Sequence, residues 1–265
     1  KQAIPGNVSR RGAGIAEFSE EGTGLKESAG LFMLTAEGCL ERRQHLMACL
    51  GDLGQPPEWA PDLEPSAEWA IIADPRHLMY LANFPVEPIS WSSPPPGLLL
   101  IQRNGGAMLV TDNLAARRID SIWVDRVQIV PWYNHADSPG DRRLAVIEHF
   151  IGSLPGPVPK SIGIESRAVP YELLVRLKEK SPETKFISMD EHLLAMRRKK
   201  HSDELELIRR CIRAGEAGHA RSWEAVRPGV TELEVYSDVA RACTEAAGRP
   251  VVVYGDFCSG PRTWT

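Results

Sequence analysis

An α/β domain over residues 34–195, followed by the opening helices of a second unit over 196–265, is the fold class this 265-residue sequence predicts. Three observations carry it. Between residues 34 and 195, short apolar runs of strand length alternate with amphipathic helical periods, the pattern of a layered α/β domain. Asn104-Gly105-Gly106 separates two of those runs and signals a hairpin. Beyond residue 200 the pattern changes to two long helices with their own start and stop signals. Residues 1–33 are glycine-rich, with Ser9-Arg-Arg-Gly12, Glu21-Gly-Thr-Gly24 and Ser28-Ala-Gly30, and read as a flexible arm.

Leu40, His45, Leu46, Met47 and Leu50 fall near one side of a helix from about Ala36, which Gly51 and Gly54 stop. The proline-rich stretch Gln55 to Ser66 then reads as a surface connection. Trp69 to Ala73 is a short buried strand ending in the turn pair Asp74-Pro75, and the segment Met79 to Phe84 follows directly. Ser92 to Gly97, with three consecutive prolines, is a loop. Leu98 to Gln102 and Ala107 to Thr111 form the paired strands of the hairpin. Ile122 to Trp132 alternates as a further strand, Asp141 to Ile151 is an amphipathic helix, and Ser161 to Glu165 is a strand. A helix over Tyr171 to Lys180 and a strand over Phe186 to Met189 complete the domain.

The basic run Arg197-Arg-Lys-Lys200 marks the junction and reads as a solvated charge patch. Ser202 caps the next helix, whose first turn holds Asp203 and Glu204 at the positive end of the helix dipole. Leu205, Ile208, Ile212, Gly215, His219, Trp223 and Val226 make one apolar stripe ended by Arg227-Pro228-Gly229, and His219 is expected as a packed core histidine. Thr231-Glu-Leu-Glu234 is a capping box opening a helix to about Ala247, which Gly248 closes. Val251 to Tyr254 reads as the start of a strand toward Cys258, with a turn at Ser259 to Arg262. The apolar faces of residues 202–265 need further chain to cover them, so this stretch is expected to be poorly stabilised alone.

Thirty-one Lys and Arg against thirty-five Asp and Glu give a net charge of -4, without the broad positive field of a nucleic-acid binder. No apolar run approaches the roughly 20 residues that span a bilayer, and Lys1 to Arg11 lacks a signal core, so a cytoplasmic protein with no membrane partner is expected. Five cysteines without paired short spacing indicate reduced, mostly buried thiols rather than a disulfide framework or a zinc site. There is no phosphate-cradling Gly-Lys-Ser/Thr loop, no His-Glu-x-x-His and no Gly-x-Ser-x-Gly. His135 with Asp137, and Glu191 with His192, are pairs without the further ligands a metal needs. Trp91 in its Ser/Pro loop either lines a pocket or covers a core edge.

The stretches Arg198-Lys-Lys-His-Ser-Asp-Glu-Leu-Glu-Leu-Ile-Arg209 and Arg227-Pro-Gly-Val-Thr-Glu-Leu-Glu234 resemble the entrance to the catalytic domain of the creatinase, prolidase and aminopeptidase P family, the dimetal pita-bread metallopeptidases. Upstream, Glu37 to Leu50 with Arg42 and Arg43 resembles the family's first helix. Ala73-Asp-Pro-Arg-His-Leu-Met-Tyr-Leu-Ala-Asn-Phe84 resembles its Asp-Pro-x-Asn-x-x-Tyr-Leu-Thr-Gly-Phe segment, with Ala82-Asn83 in place of Thr-Gly, and Ile162-Gly-Ile-Glu165 resembles its Gly-x-Glu strand. The resemblance covers residues 34–265.

It implies a ribonuclease-H-like creatinase N-terminal domain over 34–195 and the incomplete beginning of a pita-bread catalytic domain over 196–265. The family holds two divalent ions (Mn, Co or Zn) through two Asp, one His and two Glu, all downstream of the strand and turn matching Tyr254 to Arg262. No metal ligand or catalytic residue is therefore expected in this chain. The family's substrate-binding His also has no match, Arg262-Thr-Trp-Thr265 standing instead. Tyr80, Asn83, Phe84 and Trp91 are the expected substrate-proximal residues. The sequence begins with Lys1 rather than Met and reads as a fragment of a longer, homo-oligomeric hydrolase. Xaa-Pro aminopeptidase or dipeptidase activity on small peptides is the leading expectation for that parent, and the fragment alone is expected to be inactive. Creatinase-like C–N hydrolysis of a small molecule, or a non-catalytic binding role, are the alternatives.

Overall fold

The computed structural model describes residues 33–51, 67–84, 97–113, 121–131 and 140–264. Two compact units result, one over Leu34–Lys199 and another from Lys200 onward. The first contains helices α1 (Ala36–Gly51), α2 (Pro75–Ala82), α3 (Arg142–Gly152), α4 (Tyr171–Lys180) and α5 (Asp190–Arg198). Its strands are β1 (Trp69–Ile72), β2 (Gly97–Gln102), β3 (Ala107–Asp112), β4 (Arg126–Val130), β5 (Ser161–Ile164) and β6 (Lys185–Ser188).

The strands form one six-stranded sheet in the order β4-β3-β2-β1-β5-β6. β1, β2 and β3 are antiparallel neighbours, whereas β1–β5, β5–β6 and β3–β4 pair in parallel. Helices cover both faces, which is why the central strands read as continuous apolar runs rather than alternating ones. Ala70 and Ile72 of β1 and Leu99 and Ile101 of β2 point into a core shared with Leu46, Leu50, Leu78 and Leu193. Trp69, Ile71, Leu98 and Leu100 point to the other face, against Val146, Ile147, Phe150, Leu173 and Leu177. The Gly-x-Glu stretch has a packing reason: a Cβ on Gly163 would stand 2.6 Å from Met189 Sδ and 3.1 Å from Leu50 Cδ1.

In the first unit, three elements differ from the sequence expectation. Asp74-Pro75 starts a helix rather than a turn: the Asp74 side chain accepts from Arg76 N and Pro75 occupies the first turn of α2. A turn signal and a helix cap use the same residue types, because proline at the first helical position has no amide to leave unpaired. The expected strand Ile122 to Trp132 pairs only over Arg126–Val130, the preceding Ile122 and Val124 being buried in a loop. Helix α5 takes in the first two residues of the basic stretch, ending at Arg198, and brings Arg197 to within 3.4 Å of His77.

In the second unit, α6 (Ser202–Ala225) and α7 (Glu232–Ala247) lead to a short 3-10 turn at Gly260–Trp264. Ser202 is already helical; His201 is the cap, and its amide donates to the Glu204 carboxylate at 3.0 Å. The capping box forms as the sequence predicts, Glu234 N donating to Thr231 Oγ1 at 3.2 Å while Thr231 N donates to Glu234 Oε2 at 2.8 Å. Gly248 ends the helix at φ 66°. The buried residues of the two helices are small, Ala214, Gly218 and Ala225 on α6 and Val239, Cys243 and Ala247 on α7.

Arg221 joins the helices, donating to Asp238 at 2.6 Å. The apolar stripe lies outside that contact: Ile212 is 53% and Trp223 86% exposed. His219 is exposed, which corrects its expected place in a core. Val251 to Tyr254 does not form a strand, because a strand needs a paired edge and the second unit has none among the described residues. Ser259 N instead donates to Glu232 Oε1 at 2.6 Å. No disulfide joins the cysteines, and the thiols are not mostly buried: Cys39 and Cys243 are buried, Cys49 is half-buried, and Cys211 and Cys258 are exposed.

Candidate functional site

Because β1, β5 and β6 run parallel, their carboxyl ends share one edge of the sheet, the edge where open α/β sheets bind ligands. Three residues converge there. Asp74 follows β1, His77 lies in the first turn of α2, and Glu165 follows β5; each offers an atom within 4.8 Å of the others. Glu165 is 2% exposed and His77 7%. A carboxylate so buried needs partners. Glu165 Oε2 accepts from Ala73 N at 2.8 Å and Asp74 N at 2.7 Å, and Oε1 meets His77 Nδ1 in a tight contact.

Arg197 on α5 extends the chain, its Nη1 lying 3.4 Å from His77 Nε2. A guanidinium only donates, so Nε2 must present its lone pair and the imidazole proton sits on Nδ1, aimed at Glu165. Asp74 turns away to Arg76, accepting from its Nε at 2.9 Å, and that hydrogen bond holds the Asp74 carboxyl below its ordinary range. Beside this group, Ser188 Oγ donates to Asp190 Oδ2 at 3.0 Å and lies 3.2 Å from Ser166 Oγ, which also donates to Asp190.

The Asp-His-Glu cluster does not fit the two-ion centre implied by the resemblance. It has three donors where five are required, both Glu165 oxygens already accept hydrogen bonds, and two guanidinium groups oppose a cation. What the arrangement does is pin the start of α2 and the end of α5 to the β1 and β5 ends. The sequence left Glu165 and His77 unconnected. A signal was present: His77 stands where the Asp-Pro-x-Asn pattern has its asparagine.

The described residues among the expected substrate-proximal set are interior. Tyr80 and Phe84 belong to the α1–α2 core, and the Arg42 guanidinium lies 4.9 Å over the Tyr80 ring. Asn83 caps α2 in the left-handed region at φ 52°, ψ 34°, a conformation that glycine adopts most easily and asparagine tolerates. Its side chain accepts from Leu34 N at 3.0 Å and donates to Ser121 O at 2.7 Å. Trp91, His135 and Asp137 lie outside the described residues. Arg43, buried beside Arg42, donates to Gly105 O at 2.9 Å, Leu81 O at 2.7 Å and Trp123 O at 2.8 Å. No helix among the described residues is long and apolar enough to cross a membrane.

The six-stranded sheet covered on both faces defines the chain first as a mixed α/β protein, with the fold of about half of the pita-bread enzymes it superposes on. Residues 64–199 match the Creatinase/Prolidase N-terminal domain, and the chain belongs to that family. An X-Pro aminopeptidase from Thermotoga maritima superposes with a TM-score of 0.55 at 18% identity, over 77% of this chain and 49% of that one. An Xaa-Pro dipeptidase from Bacillus anthracis gives 0.52 at 16% identity over 80% of this chain and 49% of its own. A curated relative, an uncharacterized hydrolase/peptidase of Sinorhizobium fredii, is 25% identical over 158 residues, 57% of this chain and 40% of its own. The chain thus spans about half the length of the enzymes whose fold it shares.

Proposed function

We propose that this chain is the amino-terminal half of a metal-dependent hydrolase acting on Xaa-Pro peptides. The observation that carries the reading is the match of 77–80% of the chain to about half of two enzymes described as an X-Pro aminopeptidase and an Xaa-Pro dipeptidase. In such a hydrolase a pair of divalent ions supplies a nucleophilic water and polarises the scissile carbonyl. The residues of this chain do neither. Its first unit serves as a cover, and the sequence between 85 and 97 carries Pro85, Pro88 and Pro94 to Pro96, residues that restrict backbone freedom.

In the oligomeric parent that segment brings Trp91 to the substrate of a neighbouring copy. Tyr80, Asn83 and Phe84 serve it by fixing the point from which it departs. The second unit, with its uncovered apolar stripe, is the start of the catalytic domain. The test is to purify the complete parent and assay it on Xaa-Pro dipeptides with added Mn or Co. Hydrolysis that chelation abolishes, with a raised KM and unchanged fold for Trp91→Ala, supports the reading. Turnover only of small C–N compounds moves the parent to the creatinase type, and absence of any turnover moves it to the binding type.

A further inference from the structure

We propose that Asn104, at the tip of the β2–β3 hairpin, is a site of spontaneous deamidation, in which its side-chain amide is lost to a bond with the next backbone nitrogen. Of the five asparagines, Asn7, Asn83, Asn104, Asn113 and Asn134, only Asn104 precedes a glycine. Gly105 has no Cβ to shield its nitrogen, and Asn104 is exposed to the water that the reaction consumes. The side chain is already folded over the Gly105 peptide, because Asn104 Oδ1 accepts from Gly106 N at 2.9 Å. That closed ring of atoms contains Gly105 N and holds Asn104 Cγ on the same side of the chain. A Cβ on Gly106 would stand 3.0 Å from Asn104 Oδ1, so the second glycine is what admits the side chain this closely.

The same donor serves the chemistry. Gly105 N attacks Asn104 Cγ and gives its proton to solvent, and the negative charge that gathers on Oδ1 meets the Gly106 N–H already bonded there. Collapse breaks the Cγ–Nδ2 bond, releases ammonia and leaves a five-membered succinimide. Water adding at Cγ restores the ordinary main chain with aspartate. Water adding at the main-chain carbonyl gives isoaspartate, with the chain routed through the side chain. One water enters, one ammonia leaves, and nothing is oxidised or reduced. A hydrogen bond from Gly105 N to Gln102 O, at 2.8 Å, opposes the attack. It lies beyond the last paired residues of the ladder, Ile101 and Ala107, so it opens without parting the strands. The product matters because the tip is tied to α1: Arg43 Nε donates to Gly105 O at 2.9 Å. Isoaspartate adds one main-chain carbon before Gly105 and draws that carbonyl out of place, whereas aspartate keeps both the chain length and an acceptor for Gly106 N.

The experiment ages the folded 265-residue chain at neutral pH and maps its peptides by mass, with an isoaspartyl methyltransferase as the probe for isoaspartate. Conversion at Asn104 is expected to run at least about tenfold faster than at Asn83 or Asn113, as the most labile asparagine of the chain. Gly106 lies outside the left-handed region, so Gly106→Ala fits the backbone while displacing Asn104 Oδ1, and it should slow the conversion several-fold. The separated isoaspartate form should lose about tenfold in exchange protection at Gln102 N, which donates to Gly106 O, and Asn104→Asp should not. Three results on reactivity overturn the proposal: Asn104 intact in the folded chain while it converts in urea, conversion no faster than at Asn83 and Asn113, or an unchanged rate in Gly106→Ala. The first two are read on the natural chain and stand whether or not the variant folds. Equal protection at Gln102 in the isoaspartate and Asn104→Asp forms overturns the loosening of the tip.

Discussion

Arg43 holds the carbonyl oxygen of Leu81 at 2.7 Å through the same nitrogen, Nη1, that binds Trp123 O. Its Nε reaches Gly105 O, so one buried guanidinium ties α1 to the C-terminal end of α2, to the β2–β3 hairpin and to the loop before β4. Arg43→Met leaves three carbonyls without their donor and is expected to cost about 2–4 kcal/mol, because an unmet buried acceptor loses its full hydration. Arg43→Lys recovers little of this, since an ammonium lacks the fork that reaches three acceptors. Urea unfolding of the 265-residue chain checks both, and a loss below about 0.5 kcal/mol for Arg43→Met would count against the tie.

Asp74 gives the first unit an acid-sensitive component. The Arg76 guanidinium lowers its folded-state pKa, so the ionised form stabilises the fold above the unfolded value and that contribution is lost as pH falls through the folded value. Asp74→Asn keeps a capping oxygen but cannot titrate. The stability difference between the natural chain and this variant is expected to be largest near neutrality and to shrink below about pH 4. Denaturation midpoints across that range measure it, and a difference that grows on acidification contradicts the sign.

Much of the first unit is legible because its central strands are buried on both faces. Ile71 and Ile72, or Leu99 and Leu100, face opposite cores, so the run is apolar throughout and stands out. Helices α2 and α5 are short, with eight and nine residues, and their starting residues double as turn and charge-patch signals. In the second unit, apolar periodicity marks the helix but not the face that packs, because Ala214 and Gly218 bury against α7 while the larger side chains remain outside. The Glu165–His77 contact spans 88 residues of sequence, and no local pattern couples such positions.

Gly218 and Gly215 make a paired test of that packing. A Cβ on Gly218 would stand 2.4 Å from Cys243 Sγ, whereas one on Gly215 meets nothing within 4 Å. Gly218→Ala is expected to destabilise the α6–α7 pair by about 1–3 kcal/mol through overpacking. Gly215→Ala should stabilise it by about 0.5–1 kcal/mol, the helix-propensity difference. Exchange protection in α6 reads both, and equal effects of the two would contradict the small-residue contact.

On the proposed reading, the exposed stripe distinguishes the 265-residue chain from the complete parent. Ile212→Asp is expected to change the stability of the 265-residue chain by less than about 0.5 kcal/mol, as for a surface position. In the complete parent, where the proposal covers this face, the same substitution buries a carboxylate and should cost several-fold more, about 2–5 kcal/mol. Equal tolerance in both proteins would remove the stripe from the catalytic domain's core.

The central claim is that the hydrolytic chemistry belongs to chain outside these 265 residues. Its most direct test is Mn titration and Xaa-Pro dipeptide hydrolysis measured on the 265-residue chain beside the complete parent. The account predicts that the 265-residue chain shows neither stoichiometric binding of two ions nor hydrolysis, while the parent shows both. Metal-dependent hydrolysis by the 265-residue chain alone would contradict it.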